Sequence, residues 1–175
     1  LLGYHYTYQV LNAMNYGNMA QNRERIYIVA FRDEKDFNKF HWPLSIPLTT
    51  TVKDIIDFDT KVDDKYYYTE GKYKGDIYKL LVEATKDDDI NHPAIYQWRR
   101  KYVRQNKSGV VPTLTANQGE GGHNVCIVKT KQGLRKMTPK LPKKQSDARL
   151  YKQAGNSVCV PVINRIAENI LEAIK

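Results

Sequence analysis

Two arginines in alternation, within the run Gln21–Arg25, are the side chains of this sequence best suited to grip a polar ligand. An almost continuously apolar stretch begins at Arg25 and predicts a strand as far as Phe31. Alternate residues at a strand entrance point to the same side, so Arg23 and Arg25 could reach one ligand, with the Gln21 amide beside them. Guanidinium groups donate fixed forks of hydrogen bonds to carbonyl or phosphate oxygens. Taken alone, the run favours an ordinary charged turn that leads into a strand.

A second run, 113–124, combines threonines with a glycine-rich loop. Glycine lets backbone approach a partner closely, and the hydroxyls of Thr113 and Thr115 can bond to phosphate or to a base edge. No Gly-Lys-Ser/Thr follows, so the loop is not of the nucleotide-hydrolase type. The alternative is an ordinary hairpin loop.

A third run, 153–162, places a glycine turn before the final helical segment. Backbone N–H groups at a helix start can hold a polar or anionic ligand edge. The alternative is a helix capped by Asn156 or Ser157, with Pro161 tolerated in its first turn.

In this order the runs resemble one family, the bacterial DNA (cytosine-5) methyltransferases of restriction-modification systems. The first resembles the family's Gln-x-Arg-x-Arg motif, and the third its last motif, Gly-Asn-Ser-Val-x-x-x-Val. The second resembles the end of the target-recognition domain, with its Thr-Leu-Thr-Ala and glycine loop. Residues 134–139 resemble the opening of the penultimate motif, so the likeness spans nearly the whole chain.

The resemblance implies methyl transfer from S-adenosylmethionine to carbon 5 of cytosine in a specific sequence of double-stranded DNA. Arg25 would touch a flipped-out cytosine, while Arg23 and Gln21 would support the site. Asn156, Ser157 and Val158 would border the S-adenosylmethionine pocket.

DNA contacts are expected from two groups of residues. By the resemblance, the second run would face DNA through Thr113, Thr115, Asn117, Gly119, Gly121 and Gly122. A mixed aromatic and cationic stretch adds further candidates, which are expected to contact phosphate rather than read bases. They are Arg99, Arg100, Lys101 and Arg104.

The sequence departs from the family in what it lacks. The family's nucleophile is a cysteine in a Pro-Cys motif, and this dipeptide is absent, as are the glycine-rich cofactor loop and the Glu-Asn-Val motif. Neither Cys126 nor Cys159 takes the nucleophile's place. We therefore expect a C-terminal portion whose partner is a missing N-terminal catalytic half, and which is inactive alone. The alternative is a non-enzymatic DNA-binding module from a decayed or split methyltransferase.

Two smaller departures concern single segments. Much of the penultimate motif is absent after Lys140, through deletion or through loss of a disordered segment, of which we favour the second. Ala20 stands where the family commonly has proline before the Gln.

Composition agrees with a polyanionic partner. The formal net charge is +9 with a pI near 9.4, which favours binding to nucleic acid but also fits a merely basic surface. The histidines and the two cysteines show no metal-ligand spacing, so no metal is expected. No apolar run approaches the roughly 20 residues needed to span a bilayer. We expect a cytoplasmic, nucleoid-associated bacterial protein.

The elements that must position these residues indicate an α/β fold. Strands are predicted at 5–12, at 124–128 and at 25–31, the last buried on both faces. A short helical turn is predicted at 51–56, and the clearest helix lies near the C-terminus. Its apolar stripe comprises Val160, Ile163, Ala167, Ile170, Leu171 and Ile174. By the resemblance, 1–32 and 150–175 belong to a Rossmann-like cofactor-binding domain, and 44–140 to a small, irregular, mostly β target-recognition domain. The shift to charged residues and proline after Phe31 indicates a linker at 33–43. Residues 141–149 would be a connection from which part of a family motif is missing.

Overall fold

A computed structural model describes the chain at residues 3–89, 91–99, 101–115, 125–137 and 146–175. The strands are β1 (His5–Asn12), β2 (Gln21–Asn22), β3 (Glu24–Phe31), β4 (Tyr96–Trp98), β5 (Val103–Gln105), β6 (Val111–Pro112), β7 (Cys126–Thr130) and β8 (Gly133–Lys136). The helices are α1 (Ala13–Tyr16), α2 (Glu34–Lys39), α3 (Val52–Ile55), α4 (Ile77–Ala84), α5 (Asp147–Asn156) and α6 (Val160–Ala173), with a 3₁₀ turn at Asp64–Tyr66.

The chain divides into two compact units. Unit 1 comprises Leu1–Thr50 and Val158–Lys175, and unit 2 comprises Thr51–Ser157. These boundaries differ from the predicted 44–140, because hydrogen bonds hold the segment before residue 51 to unit 1. Ile46 N–H donates to Asn15 O at 2.7 Å, and Asn18 Oδ1 accepts from the N–H of Thr49 at 2.8 Å.

In unit 1, β1 and β3 form an antiparallel pair whose register runs from His5 opposite Phe31 to Asn12 opposite Glu24. Aromatic and β-branched residues, which favour extended backbone, fill both strands. The two predicted strands are confirmed.

The prediction that β3 is buried on both faces is wrong. Ile26 and Ile28 are 59% and 66% exposed, while Val29 and Phe31 are buried. The core of unit 1, formed with Leu11 and with Val162 of α6, packs on one face of the pair. An apolar run does not by itself reveal whether a second layer covers the other face.

The predicted linker 33–43 contains a helix instead. Helix α2 has Glu34 and Asp36 in its first turn and Lys39 in its last, an arrangement that suits the helix dipole. It packs against α6, and Phe40 just beyond it is buried in the core of unit 1. The charges that indicated a linker lie mostly on the exposed side of this helix.

The C-terminal helix is confirmed, with Pro161 in its first turn, but its predicted apolar stripe is not the buried one. The predicted stripe comprised Val160, Ile163, Ala167, Ile170, Leu171 and Ile174. The buried residues are instead Val162, Ile166 and Ala173, with Ile170 partly buried against them. Helix α6 is apolar on two sides, so periodicity alone could not choose between them.

Unit 2 is built on a four-stranded antiparallel sheet in the order β5-β4-β7-β8. Helix α4 buries Ile77 and Leu81 in one cluster with Tyr96, Ile127 and Leu134. The predicted helical turn near residue 51 is confirmed as α3, and the strand predicted near 124–128 as β7. Sequence reasoning missed α4, α5, β4, β5 and β8, which are short or of mixed polarity.

Candidate functional site

The arginine run joins strands β2 and β3 through a single residue. Gln21 and Asn22 form β2, and Glu24 begins β3, so Arg23 lies between the strands. Ala13 N–H donates to Arg23 O at 2.9 Å, and Gln21 N–H donates to Met19 O at 2.6 Å. The backbone that carries both arginines is therefore anchored at two points to the segment after β1.

Arg23 and Arg25 lie close enough for their charges to interact. Arg23 is only 4% exposed, and Arg25 is half-buried. Burial lowers the pKa of the Arg23 guanidinium, and the positive charge of Arg25 lowers it further, whereas Tyr27 and Cys159 raise it. Burial likewise raises the pKa of the Tyr27 hydroxyl, and Cys159 acts in the same direction. These four side chains form one electrostatically coupled group in unit 1.

Such a group can bind and stabilise negative charge. Arg25 Nη1 donates to the carbonyl oxygen of Glu24 at 2.6 Å, which restrains the guanidinium beside its own backbone. A guanidinium carries five N–H donors, so one such bond leaves capacity for a carbonyl or anionic ligand. Two adjacent cations in a partly desolvated setting act on such a ligand more strongly than exposed cations do.

Close packing at Gly17 fixes the start of α6 beside this group. A Cβ atom on Gly17 would lie 3.0 Å from Ala13 O, from Cys159 Sγ and from Val162 Cγ2. A side chain there would force α1 and α6 apart. Arg165 adds two bonds, to Tyr16 O at 3.0 Å and to Leu44 O at 2.8 Å.

The predicted cationic DNA contacts lie on a hairpin in unit 2. Trp98 pairs with Val103 at the end of the β4–β5 ladder, and Arg99 N–H donates to Tyr102 O at 2.9 Å across the turn. Arg99 and Lys101 are exposed. Arg104, on β5, is also exposed and donates through Nη2 to the buried Gln97 Oε1 at 2.7 Å. Arg100 lies outside the described residues.

The glycine-rich run is described only at its start. Thr113 is half-buried and Thr115 is exposed. Asn117, Gly119, Gly121 and Gly122 lie outside the described residues, as do positions 138–145, which include the gap after Lys140.

The third run has a different local structure from the predicted one. Gly155 and Asn156 are the last residues of α5 and not a turn at the start of α6. Ser157 Oγ donates to Ala154 O at 2.8 Å, and the N-cap of α6 is Cys159, without a side-chain cap bond. The capping prediction is therefore wrong, because a separate helix occupies those residues. The side chains of Asn156, Ser157 and Val158 are all exposed.

A large cavity in unit 2 is a weaker candidate site. It measures about 740 Å³ and is lined by tyrosines and lysines near the β7–β8 turn. Two of its lysines already have partners: Lys86 Nζ lies 2.5 Å from Glu83 Oε1, and Lys129 Nζ donates to Thr85 O at 2.6 Å. The arginine group of unit 1 remains the better site for chemistry.

Comparison with known families decides what this arrangement belongs to. The profile of the family described as "C-5 cytosine-specific DNA methylase" matches residues 1–172. This chain belongs to that family. The Type II methyltransferase M.Bsp6I of Bacillus sp. (strain RFL6) is 54% identical over 185 residues, which cover 98% of this chain and 56% of that protein.

Two further methyltransferases are similar to this chain. The Type II methyltransferase M.SsoII of Shigella sonnei is 31% identical over 99% of this chain and 46% of its own length. The solved Entamoeba histolytica methyltransferase EhMeth has a TM-score of 0.62 at 15% identity, covering 99% of this chain and 55% of that one, and shows a shared fold. The chain thus spans about half the length of the curated relatives it matches.

The sequence analysis missed Asn12, a residue that holds the arginine run by accepting a hydrogen bond from Arg23 N–H. Asn12, at the end of β1, caps α1 by accepting a hydrogen bond from Met14 N–H at 3.2 Å. Asparagine between a strand and a short helical segment is an N-cap signal that could have identified it.

Within the described part of the chain, no helix is long and apolar enough to cross a membrane. Nor do three metal-binding side chains come together among the described residues.

Proposed function

We propose that this chain is the DNA-recognising portion of a DNA (cytosine-5) methyltransferase that acts on cytosine within a specific duplex sequence. The observation that carries the proposal is the coupled pair of Arg23 and Arg25, held in the family's motif position at the entrance of β3. M.Bsp6I and M.SsoII are named as Type II methyltransferases, and this chain would share their reaction.

The arginines would act on a cytosine extruded from the double helix. A base must leave the stack before an enzyme can reach its ring carbons. Thiolate addition to the ring puts negative charge on it, and a guanidinium at the cytosine O2 would stabilise that charge. Arg25, the more accessible of the pair, would make this contact. Arg23, which is buried, would help order the site together with Gln21.

S-adenosylmethionine would supply the methyl group to carbon 5. Asn156 and Ser157 offer an amide, a hydroxyl and backbone groups, which suit the polar parts of this cofactor, and Val158 offers an apolar surface. All three side chains are exposed, so a ligand could reach them, but they do not enclose one. These residues would therefore form one wall of the cofactor site.

Unit 2 would grip the DNA. The exposed cations Arg99, Lys101 and Arg104 on the β4–β5 hairpin are suited to phosphate contacts. We assign Arg100 to the same group by its position in the sequence, and Thr113, Thr115 and the glycines that follow them in the sequence to contacts with DNA. The part of unit 2 that carries its four-stranded sheet, within residues 51–137, would then correspond to the target-recognition domain.

A second polypeptide portion would complete unit 1. The outer face of the β1–β3 pair exposes Tyr6, Tyr8, Val10, Ile26 and Ile28. Contiguous apolar surface of this kind marks an interaction site. A portion carrying the nucleophilic cysteine, comparable to the part of M.Bsp6I that this chain does not match, would cover that face.

The test is to join this chain to the unmatched portion of M.Bsp6I, in that protein's order, and to measure transfer of a labelled methyl group from S-adenosylmethionine to duplex DNA. We expect 5-methylcytosine from the joined protein and none from this chain alone. A well-folded joined protein that transfers no methyl group to any duplex would refute the proposal. Salt-sensitive DNA binding without methyl transfer would identify a non-enzymatic DNA-binding module instead.

A further inference from the structure

Asn12 is a buried amide at the junction between β1 and α1. Asn12 is 8% exposed, and both the oxygen and the nitrogen of its side-chain amide form hydrogen bonds. Oδ1 accepts from Met14 N–H at 3.2 Å and from Arg23 N–H at 3.1 Å, while Nδ2 donates to Asn22 Oδ1 at 2.7 Å. One side chain therefore holds the turn after β1 and two consecutive residues of the arginine run.

The backbone reinforces this connection. Ala13 N–H donates to Arg23 O at 2.9 Å, so Arg23 is held through its N–H by Asn12 and through its C=O by the next residue. Asn12 also faces Glu24 in the β1–β3 register. The entrance of β3 thus has little freedom to move relative to the end of β1.

We infer that Asn12 is a positioning residue that fixes the Gln21–Arg25 segment, so that Arg23 and Arg25 meet the reacting base in one geometry. This inference rests on the proposed function. The amide is chemically specific: a carboxylate at position 12 could accept the Arg23 N–H but could not donate to Asn22, and alanine could do neither. Because a misplacement of about 1 Å can cost about a hundredfold in rate, the loss of Asn12 would reduce turnover more than DNA binding.

The first test needs no activity. Amide hydrogen exchange is measured on this chain for wild type, Asn12→Ala, Asn12→Asp and the matched control Asn169→Ala. The control removes a bond from Asn169 Nδ2 to His41 O, 2.7 Å long, which does not touch the arginine run. We expect the Arg23 amide to exchange about tenfold faster in Asn12→Ala relative to the core amide of Val29, and at an unchanged relative rate in the control.

The second test measures turnover in the joined protein. Asn12→Ala should lower kcat about a hundredfold with KM for DNA within about threefold, and Asn12→Asp should recover part of that loss. Asn169→Ala should match wild type. If Asn12→Ala does not fold, Asn12→Asp removes the donor from Asn12 Nδ2 to Asn22 Oδ1 and should still lower kcat.

The outcomes separate the two claims. Unchanged relative exchange at Arg23, or kcat equal to that of the Asn169→Ala control, would overturn the positioning role. A joined wild-type protein without methyl transfer would overturn the proposed function, while the exchange measurement would still decide whether Asn12 fixes the segment.

Discussion

The arginine run of unit 1 and the basic hairpin of unit 2 use the same kind of side chain in opposite settings. Arg23 is buried and coupled to Arg25, Tyr27 and Cys159, whereas Arg99 and Lys101 are exposed at a hairpin turn. Buried charges act strongly at short range and in one geometry. Exposed charges are screened by salt and tolerate many geometries. The contrast teaches that the first region is suited to charge developing in a reaction and the second to the general charge of a DNA backbone.

The largest effect on this comparison should come from removing Arg25, the more accessible arginine of the run. Arg25→Ala in the joined protein should lower kcat by about 10²–10³, as expected for loss of one preorganised donor to a developing charge. The loss should change little between low and moderate salt. A loss that appears only in KM and fades as salt rises would mean that Arg25 behaves like the hairpin cations.

The complementary change neutralises the hairpin. Replacement of Arg99, Lys101 and Arg104 by alanine should weaken DNA binding and flatten its salt dependence by about 0.9 logarithmic units for each phosphate contact removed. Single-turnover methyl transfer at saturating DNA should stay near wild type. A matched triple variant, Lys35→Ala, Lys39→Ala and Lys175→Ala, removes the same charge from unit 1. If it lowers the salt slope equally, the hairpin has no special role.

A third change tests how much the bond from the buried Tyr96 of β4 stabilises the unit that carries the hairpin. The Tyr96 hydroxyl donates to Asp88 Oδ1, and Tyr96→Phe should destabilise unit 2 by about 1–3 kcal/mol in urea unfolding, because a carboxylate oxygen loses its donor. Burial, followed by the bond to Asp88 and the charge of Asp88, raises the pKa of Tyr96. The proton on Tyr96 therefore stabilises the fold below about pH 10, and wild type should lose that advantage as pH rises further. Equal stability of both proteins at neutral pH would contradict this account.

The smallest effect is expected at an exposed carboxylate of unit 2. Asp54 Oδ2 accepts from the N–H and hydroxyl of Thr51, and these bonds hold the pKa of the Asp54 carboxyl below its ordinary value. The capping box of α3 should therefore be intact above the ordinary carboxyl pKa and should loosen as pH falls through the lowered value. The Thr51 amide resonance should report this titration by NMR. Asp54→Asn, the control, should remove the pH dependence, and its persistence there would assign it to another group.

The sequence was most informative where pattern and chemistry coincide. Strands β1 and β3 and helix α6 were predicted because their aromatic, β-branched and apolar residues follow a recognisable pattern. The arginine alternation identified two side chains whose charges interact in the structure. The buried side of α6 could not be predicted, since Val160 and Val162 begin two equally apolar stripes of which tertiary packing selects one. Asn12 escaped notice because its role depends on Asn22 and Arg23 across a strand pair.

The mixed aromatic and cationic composition of the hairpin identified its cations, but it did not predict the strands β4 and β5 that carry them. Strands β4 and β5 have three residues each, and the second partner of β4 is the distant strand β7, where Cys126 lies opposite Gln97. A window of sequence cannot report a partner at that distance. Helix α2 was predicted as a linker because most of its residues are charged. The packing of Phe37 and Phe40 in the core of unit 1 depends on residues that are distant in sequence.

Bisulfite sequencing of DNA treated with the joined protein and S-adenosylmethionine tests the central claim most directly, because it reports both the chemistry and the choice of site. We predict that cytosines resist conversion within one short duplex sequence and nowhere else. Full conversion everywhere, or protection scattered over cytosines without regard to sequence, would contradict the claim that this chain directs methylation to a specific target.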